Sequence, residues 1–577
     1  MKLIRSLCFA ILAATLVGFG IASSVPAADT PKSKLEEKKD LRLKLKAALA
    51  KKQANAEKPA PSTTTVKSDD TIQAPAKPYI KPIAQPMSDV IRFLDEQINA
   101  KLTAEKLTPS GPANDAEFLR RVYLDLTGVI PTVEQTRTFL DDKDSAKRAK
   151  LIDELLASPN YGQHQADIWQ AKLMSRDSNN RFVQRDPFID WIAASFNKNT
   201  PWDQFVTQLV TATGTVESNP EVTYFFMNRS VDKLTDSVGQ HFLGLQIMCA
   251  QCHNHPFTTT KQTEYWGMAA FFNNVSIDRP QNANKGGDNM KIGVREGNGP
   301  SRTKEFFPES TKKVAPKFLE GDEPKLSASE PHRPALAKWL TSGANPYFAK
   351  AMVNRTWAQL FGSGVVNPVD DMHVDNLPSH PELLATLATQ FIATGFDVKQ
   401  LYRTICNSQA YQRTSKPSAG NETDHKLFSH MTVKVLMPEQ LFDSLKSITN
   451  FTTPAKPGGK LQAALGRGPV TPRDSFVQFF LAGAEHANTT EYEAGIPQAL
   501  RLMNSRIAGN PAAAKAFVKP GAKPAEIIEE MYLAVLSRRP TPDEVTKLTD
   551  YLSSNTTTGY ADVLWVLLNS SEFTLVR

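Results

Sequence analysis

What most constrains the fold of this chain is a succession of short segments whose apolar residues recur at helical spacing, each closed by its own cap or turn. In SDVIRFLDEQINAKL, Val90, Ile91, Leu94 and Ile98 share one face, with Ser88 as the candidate N-cap. In NDAEFLRRVYLDLTG, Asn114 or Asp115 supplies the cap, Phe118, Leu119, Val122 and Leu126 the stripe, and Gly128 the stop. Pro131 and Thr132 open a helix through Phe139. Asp144 opens another, whose stripe is Leu151, Ile152, Leu155 and Leu156 and which ends at Pro159. Few stretches alternate with the period of two that a half-buried strand needs.

The same pattern returns near Pro331. RPALAKWL leads into NPYFAKAMVNRTWAQLFG, with Phe348, Met352, Trp357, Leu360 and Phe361 apolar and Gly362 at the end. Ser379-His380-Pro381-Glu382 reads as a capping box with proline in the first turn. Further helices are expected near 441–448, 497–507, 525–536, 542–552 and 561–573. Between the two helical stretches, residues 276–330 carry Gly286, Gly287, Gly293, Gly297 and Gly299 with five prolines and little periodicity. The expectation is therefore a mainly α protein. Two helical domains, 87–275 and 331–577, are joined by an irregular Gly/Pro-rich segment with short strands, 276–330, and preceded by a disordered tail.

The N-terminus reads as an address. Lys2 and Arg5 precede an uncharged apolar stretch at 7–21, and small residues follow through Ala28, the layout of a secretory signal peptide over 1–28. That places the mature protein in the periplasm or outside the cell. Residues 29–86 read as a charged and then Pro-rich tail. The formal charge of +7 lies here: residues 31–60 hold ten Lys/Arg against four Asp/Glu, and the chain from Pro61 onward sums to zero. A phosphate-binding groove needs its charge excess in the folded part, so nucleic acid is not an expected partner. Contact of the Lys-rich tail with anionic lipid or cell-wall polymer is the sharper reading of the same charge. No uncharged apolar run is long enough to span a membrane.

One motif carries chemistry. Within HFLGLQIMCAQCHNHPF, Cys249-Ala250-Gln251-Cys252-His253 is C-x-x-C-H, the attachment signature of c-type haem. Two cysteines three apart can bond the two vinyl groups on one porphyrin edge, and the next residue then presents its imidazole to the iron. With four Cys and ten His in 577 residues, such a motif arises by chance in roughly one chain in two thousand. Two other chemistries fit the same residues. One is a zinc or iron site using Cys249, Cys252 and one of His253 and His255, although a second ligand pair is missing. The other is a C-x-x-C disulfide, structural or redox-active. For a haem, His241, Met268, Met290 and His164 are the candidates for the sixth ligand. A weaker cluster, Asp370, Asp371, His373, Asp375, His380 and Glu382, has residue types for metal binding or acid–base work, or is a polar loop leading into a capped helix. Arg355 is expected to pair with a carboxylate, Trp357 to be core, and Cys406 to be a buried structural thiol.

FLRRVYLDLTGVIPT, LIDELLASPNYG and FLGLQIMCAQCHNHPF resemble the planctomycete-type cytochrome-c-like domain of unknown function. RPALAKWL, NPYFAKAMVNRTWAQLFGSGVVNPVDDM, MPEQLFDSL, IPQALRLMN and LLNSSEF resemble its usual companion, the planctomycete-type C-terminal domain of unknown function. The resemblance covers about 90–275 and 330–575. It implies an exported protein whose haem label rests on Cys249, Cys252 and His253; it implies no reaction. The expected function is haem c binding, with electron transfer to an unknown redox partner or other exported protein. The alternative is a non-redox scaffold or binding protein whose Cys/His loop is a structural metal (zinc) site or disulfide, or holds no cofactor. A hydrolase built on the Asp370–Glu382 cluster is a third reading.

Overall fold

The computed structural model describes residues 79–174, 185–278, 293–297, 314–327, 330–449, 471–481, 495–504, 511–555 and 558–577. The proposed signal peptide, residues 29–78 of the tail and Met290 lie outside the described residues; residues 79–86, expected in the disordered tail, are described, and Gln85 is hydrogen-bonded to Gln390. What is described is mainly α: helices follow one another from Met87–Ala104 to Ser571–Thr574, with five strands of two to four residues. The strands Gly214–Thr215, Val275–Asp278 and Gly293–Glu296 form an antiparallel sheet with the last in the middle. Lys434–Val435 pairs antiparallel with Leu575–Val576.

The local signals act largely as their chemistry requires. The Asn114 side chain accepts from Glu117 N–H and caps Asp115–Thr127, which ends at Gly128 with φ 71°. Such a left-handed residue is cheapest as glycine. Thr132 and Gln135 form a reciprocal capping box on Val133–Asp141. Pro159 does more than end a helix: Ser158 closes Lys147–Ala157 and caps Pro159–Leu173, with the proline in the first turn, where its missing N–H costs nothing.

Two caps differ from expectation. Ser88 is not an N-cap, because Met87–Ala104 begins one residue earlier, behind Pro86. The segment before it is tied to the fold: Gln85 exchanges two 2.9 Å hydrogen bonds with the Gln390 side chain. Ser379 and Glu382 do not form a capping box either. The Ser379 amide (2.8 Å) and hydroxyl (3.2 Å) both donate to Val365 O, which leaves His380 as the N-cap of Pro381–Ala393.

Two apolar cores organise the molecule. The first draws on residues from Val90 to Val294 and from Leu319 to Met431. Trp202 illustrates its reach. The indole stacks on Phe205 at 5.1 Å, meets Phe242 at 6.0 Å and Phe348 at 6.5 Å, and its amide donates to Phe396 O at 3.0 Å. The second core is built from Leu436 to Val576, with Leu124 and Ile130. Buried ionic side chains tie segments far apart in sequence. Arg333, fully buried, pairs with Glu296 at 2.8 Å and donates to Val210 O (3.1 Å) and Ala212 O (2.9 Å).

Candidate functional site

The Cys/His motif sits on a loop with little regular structure. Helix Val231–Val238 runs into a single π-turn, Gly239–Leu243, and the chain reverses at Gly244 with φ 68°. The Met372 amide donates to Gly244 O at 2.9 Å, and a side chain at Gly244 would start 3.2 Å from Met372 Sδ. A 3-10 turn, Met248–Gln251, carries the first half of the motif. Ile247 and Ala250 are buried and anchor this turn, and Ala250 N–H donates to Ile247 O at 2.9 Å. Cys249 and Cys252, on either side of Ala250, are exposed free thiols. No strand leads into the pair and no α-helix starts at it, so the setting of a thioredoxin-type dithiol is not present here.

Helix Gln262–Ala269 closes the loop from behind. Trp266 Nε1 (3.0 Å) and Gln262 Nε2 (3.1 Å) both donate to Gln251 O, and Gln262 N–H donates to Asn254 Oδ1 at 3.0 Å. His255 N–H donates to Thr260 O at 2.9 Å. Behind the same helix, Tyr265 donates its hydroxyl to Asp236 Oδ1 at 3.0 Å. Burial pushes the Asp236 carboxyl up to about 6, with Asp232 adding to the shift and the Tyr265 hydrogen bond opposing it. Tyr265 is raised, chiefly by burial and then by Asp236.

The two histidines of the motif differ in chemistry. His253 is exposed, and its Nδ1 lies 2.7 Å from Asn254 O. A carbonyl only accepts, so in the neutral ring the proton belongs on Nδ1 and the lone pair on Nε2. That is the tautomer metal-bound imidazoles adopt when a backbone carbonyl orients them. His255 is the reverse: its Nδ1 accepts from Phe257 N–H (3.2 Å) and Thr258 N–H (3.0 Å), which places its proton on Nε2. The His255 ring holds the loop and has no free lone pair. Two free thiols and one free imidazole nitrogen on an exposed loop fit covalent haem attachment. Among the described residues, no three His, Cys, Asp or Glu side chains converge as a metal-ligand set.

The remaining sequence candidates lie elsewhere. Met268 is fully buried in its helix. His164 is buried, and burial lowers its pKa to about 3, with Lys434 and Arg473 adding to it. The His241 ring is lowered to about 3 by burial and by Arg355. Arg355 pairs with Asp370, and Gln240 Nε2 donates to the second oxygen of Asp370 at 3.1 Å. Burial would raise the Asp370 carboxyl, but Arg355 and Lys172 outweigh it and the pKa is lowered. The acidic cluster thus separates. Asp370 belongs to this buried pair, His373 Nε2 lies 3.5 Å from Asp371, and His380 is buried 5.6 Å from the Phe428 ring. Trp357 is fully buried, as is Cys406, whose thiol burial pushes well above its ordinary value. The Asp236–Tyr265 pair was not singled out in the sequence; its only trace there is Asp232 and Asp236 at i, i+4.

The family described as PSCyt2, protein of unknown function (DUF1549), matches residues 93–277, and PSD1, protein of unknown function (DUF1553), matches residues 332–552. No curated protein and no solved structure matches the chain.

Proposed function

We propose, from the premise that the chain belongs to the paired PSCyt2 and PSD1 families, that it is an exported protein carrying one covalently attached c-type haem at residues 249–253. Cys249 and Cys252 are the thioether anchors. Each thiol would hold one vinyl-derived edge of the haem through a thioether, an S–H addition that needs no oxidant. His253 would hold the haem iron through Nε2, since its Nδ1 is engaged with Asn254 O. The bound haem would supply reversible one-electron transfer to a redox partner.

The observation that carries this reading is the hydrogen bond from His253 Nδ1 to Asn254 O at 2.7 Å, which leaves Nε2 uncovered beside two free, exposed thiols. The chain's own part is to hold that arrangement. Ile247 and Ala250 fix the turn from below, Trp266 and Gln262 hold Gln251 O, and His255 braces the far side.

A second reading draws on a specific observation as well. The loop is closed by the protein's own hydrogen bonds, which suits a scaffold or binding protein whose Cys/His loop needs no haem. An absorption spectrum separates the two. The full chain is expressed into a periplasm that carries the haem-attachment machinery, with Cys249→Ala/Cys252→Ala as control. A Soret band that survives denaturation in the wild type and is lost in the control supports the haem reading. A colourless wild type overturns it, and zinc analysis with thiol counting on that sample then identifies the state of the loop.

A further inference from the structure

An exposed loop with two thiols and an imidazole gives a porphyrin its anchors but no walls. A porphyrin is a flat, largely apolar body, and leaving it in water forfeits the stabilisation its burial would bring. Four exposed apolar side chains have the complementary defect. Met248 (62 % exposed) and Phe257 (75 %) lie on the motif loop, and Val374 (70 %) and Leu377 (78 %) lie on the loop that follows Asp370. Large apolar side chains exposed on two joined loops are a feature of surfaces that something covers.

The two loops are joined where Met372 N–H donates to Gly244 O. The second loop also has a built shape. Met372 is buried, Asn376 Nδ2 donates to Asp371 O at 2.8 Å, and Asp375 N–H donates to His373 Nδ1 at 3.2 Å. With its polar groups satisfied internally, it holds Val374 and Leu377 in water. His373 is no ligand here: its Nδ1 accepts from the backbone and its Nε2 faces Asp371.

We propose that Val374 and Leu377, with Met248 and Phe257, form the apolar seat of the haem attached at Cys249 and Cys252. The seat then takes one loop from each of the two family segments, which gives those segments a chemical reason to occur in one chain. This inference rests on the haem reading above.

The test uses the full chain matured in the periplasm, comparing wild type with Val374→Thr/Leu377→Asn. These substitutions add polarity without charge at exposed positions. Ile80→Asn/Ile83→Asn, equally exposed and outside both loops, is the control. Three quantities are read: covalent haem per chain, Soret position, and reduction potential by spectroelectrochemical titration. Greater solvent exposure of a haem lowers its potential. The expected result is unchanged covalent haem, a shifted Soret band and a more negative potential in the loop variant, with the control matching wild type. Identical spectra and potentials in all three proteins overturn the seat while leaving the haem reading intact; that is also the outcome if the patch instead docks a protein partner. A wild type without haem overturns both. Thermal unfolding of each variant, expected to match wild type, shows that a changed spectrum does not come from a misfolded chain.

Discussion

His253 and His255 are two residues apart, yet the structure gives them opposite tautomers. His253 leans on one carbonyl and leaves Nε2 open, whereas His255 accepts two backbone amides. Their replacement should therefore separate attachment from folding. His255→Ala strands two amide donors in a half-exposed loop and is expected to cost about 0.5–1.5 kcal/mol. His253→Ala, at an exposed position, should stay within about 0.5 kcal/mol. Urea unfolding of protein made without the attachment machinery measures both; equal losses would contradict the assigned roles.

Asp236 gives a second residue-scale prediction. Its carboxyl is held at about 6 against an ordinary 3.8, so the folded state keeps a proton that the unfolded state releases. Between about pH 4 and 6 the unfolded chain binds fewer protons, and this group's contribution to stability falls as pH rises, then levels off. Asp236→Asn removes that titration while keeping an acceptor for Tyr265. The difference in unfolding free energy between wild type and variant should shift toward the variant across that window; parallel curves would count against the buried carboxyl. The C-x-x-C-H motif was legible in sequence because it is local. The tautomers and the Asp236–Tyr265 pair were not, because each depends on which backbone atoms the loop brings within hydrogen-bonding distance.

At the scale of elements, helices were legible where cap and stripe agreed, as at Asn114, Thr132 and Gly128. They were misread where a distant contact engages the chain beside the boundary, as Gln390 does at Gln85 and Val365 at Ser379. Helix Asp115–Thr127 shows the tertiary content hidden in an ordinary amphipathic stripe. Arg120 donates to Val535 O (2.9 Å) and Phe573 O (2.7 Å). Arg121 donates to Tyr411 O (2.7 Å), Arg413 O (2.9 Å) and Arg577 O (2.7 Å), and pairs with Glu117 at 2.8 Å. Periodicity alone assigns two adjacent arginines to solvent; here both are buried and each satisfies carbonyls on other segments. Removing one strands those acceptors in a dry environment, so Arg121→Met is expected to cost about 3–5 kcal/mol. A shift in the denaturation midpoint at constant slope is the readout. A loss below about 1 kcal/mol would mean that water reaches these carbonyls.

For the whole molecule, the decisive fact is that the two family segments share a core. Composition and periodicity reveal which faces are apolar but not which faces meet, since the contacts of Trp202 with Phe242, Phe348 and Phe396 span both segments. The first core passes from Val294 to Leu319 and on to Met431, so residues 79–278 expressed alone would lose core members such as Phe348, Val353, Trp357 and Leu387. Each large side chain left uncovered forfeits about 1.5–3 kcal/mol, and a handful of them exceeds the usual net stability of a domain. The isolated segment is therefore expected to keep helical far-ultraviolet dichroism, since its caps and stripes are local. It should lose near-ultraviolet dichroism and bind a hydrophobic dye, as a chain without fixed packing does. Adding residues 330–577 should restore the near-ultraviolet signal if the shared core governs folding. A segment 79–278 with sharp near-ultraviolet bands and cooperative unfolding by itself would show that the shared core is an interface between independently stable units. In that case the loops bearing Cys249 and Val374 would meet by docking rather than by folding together.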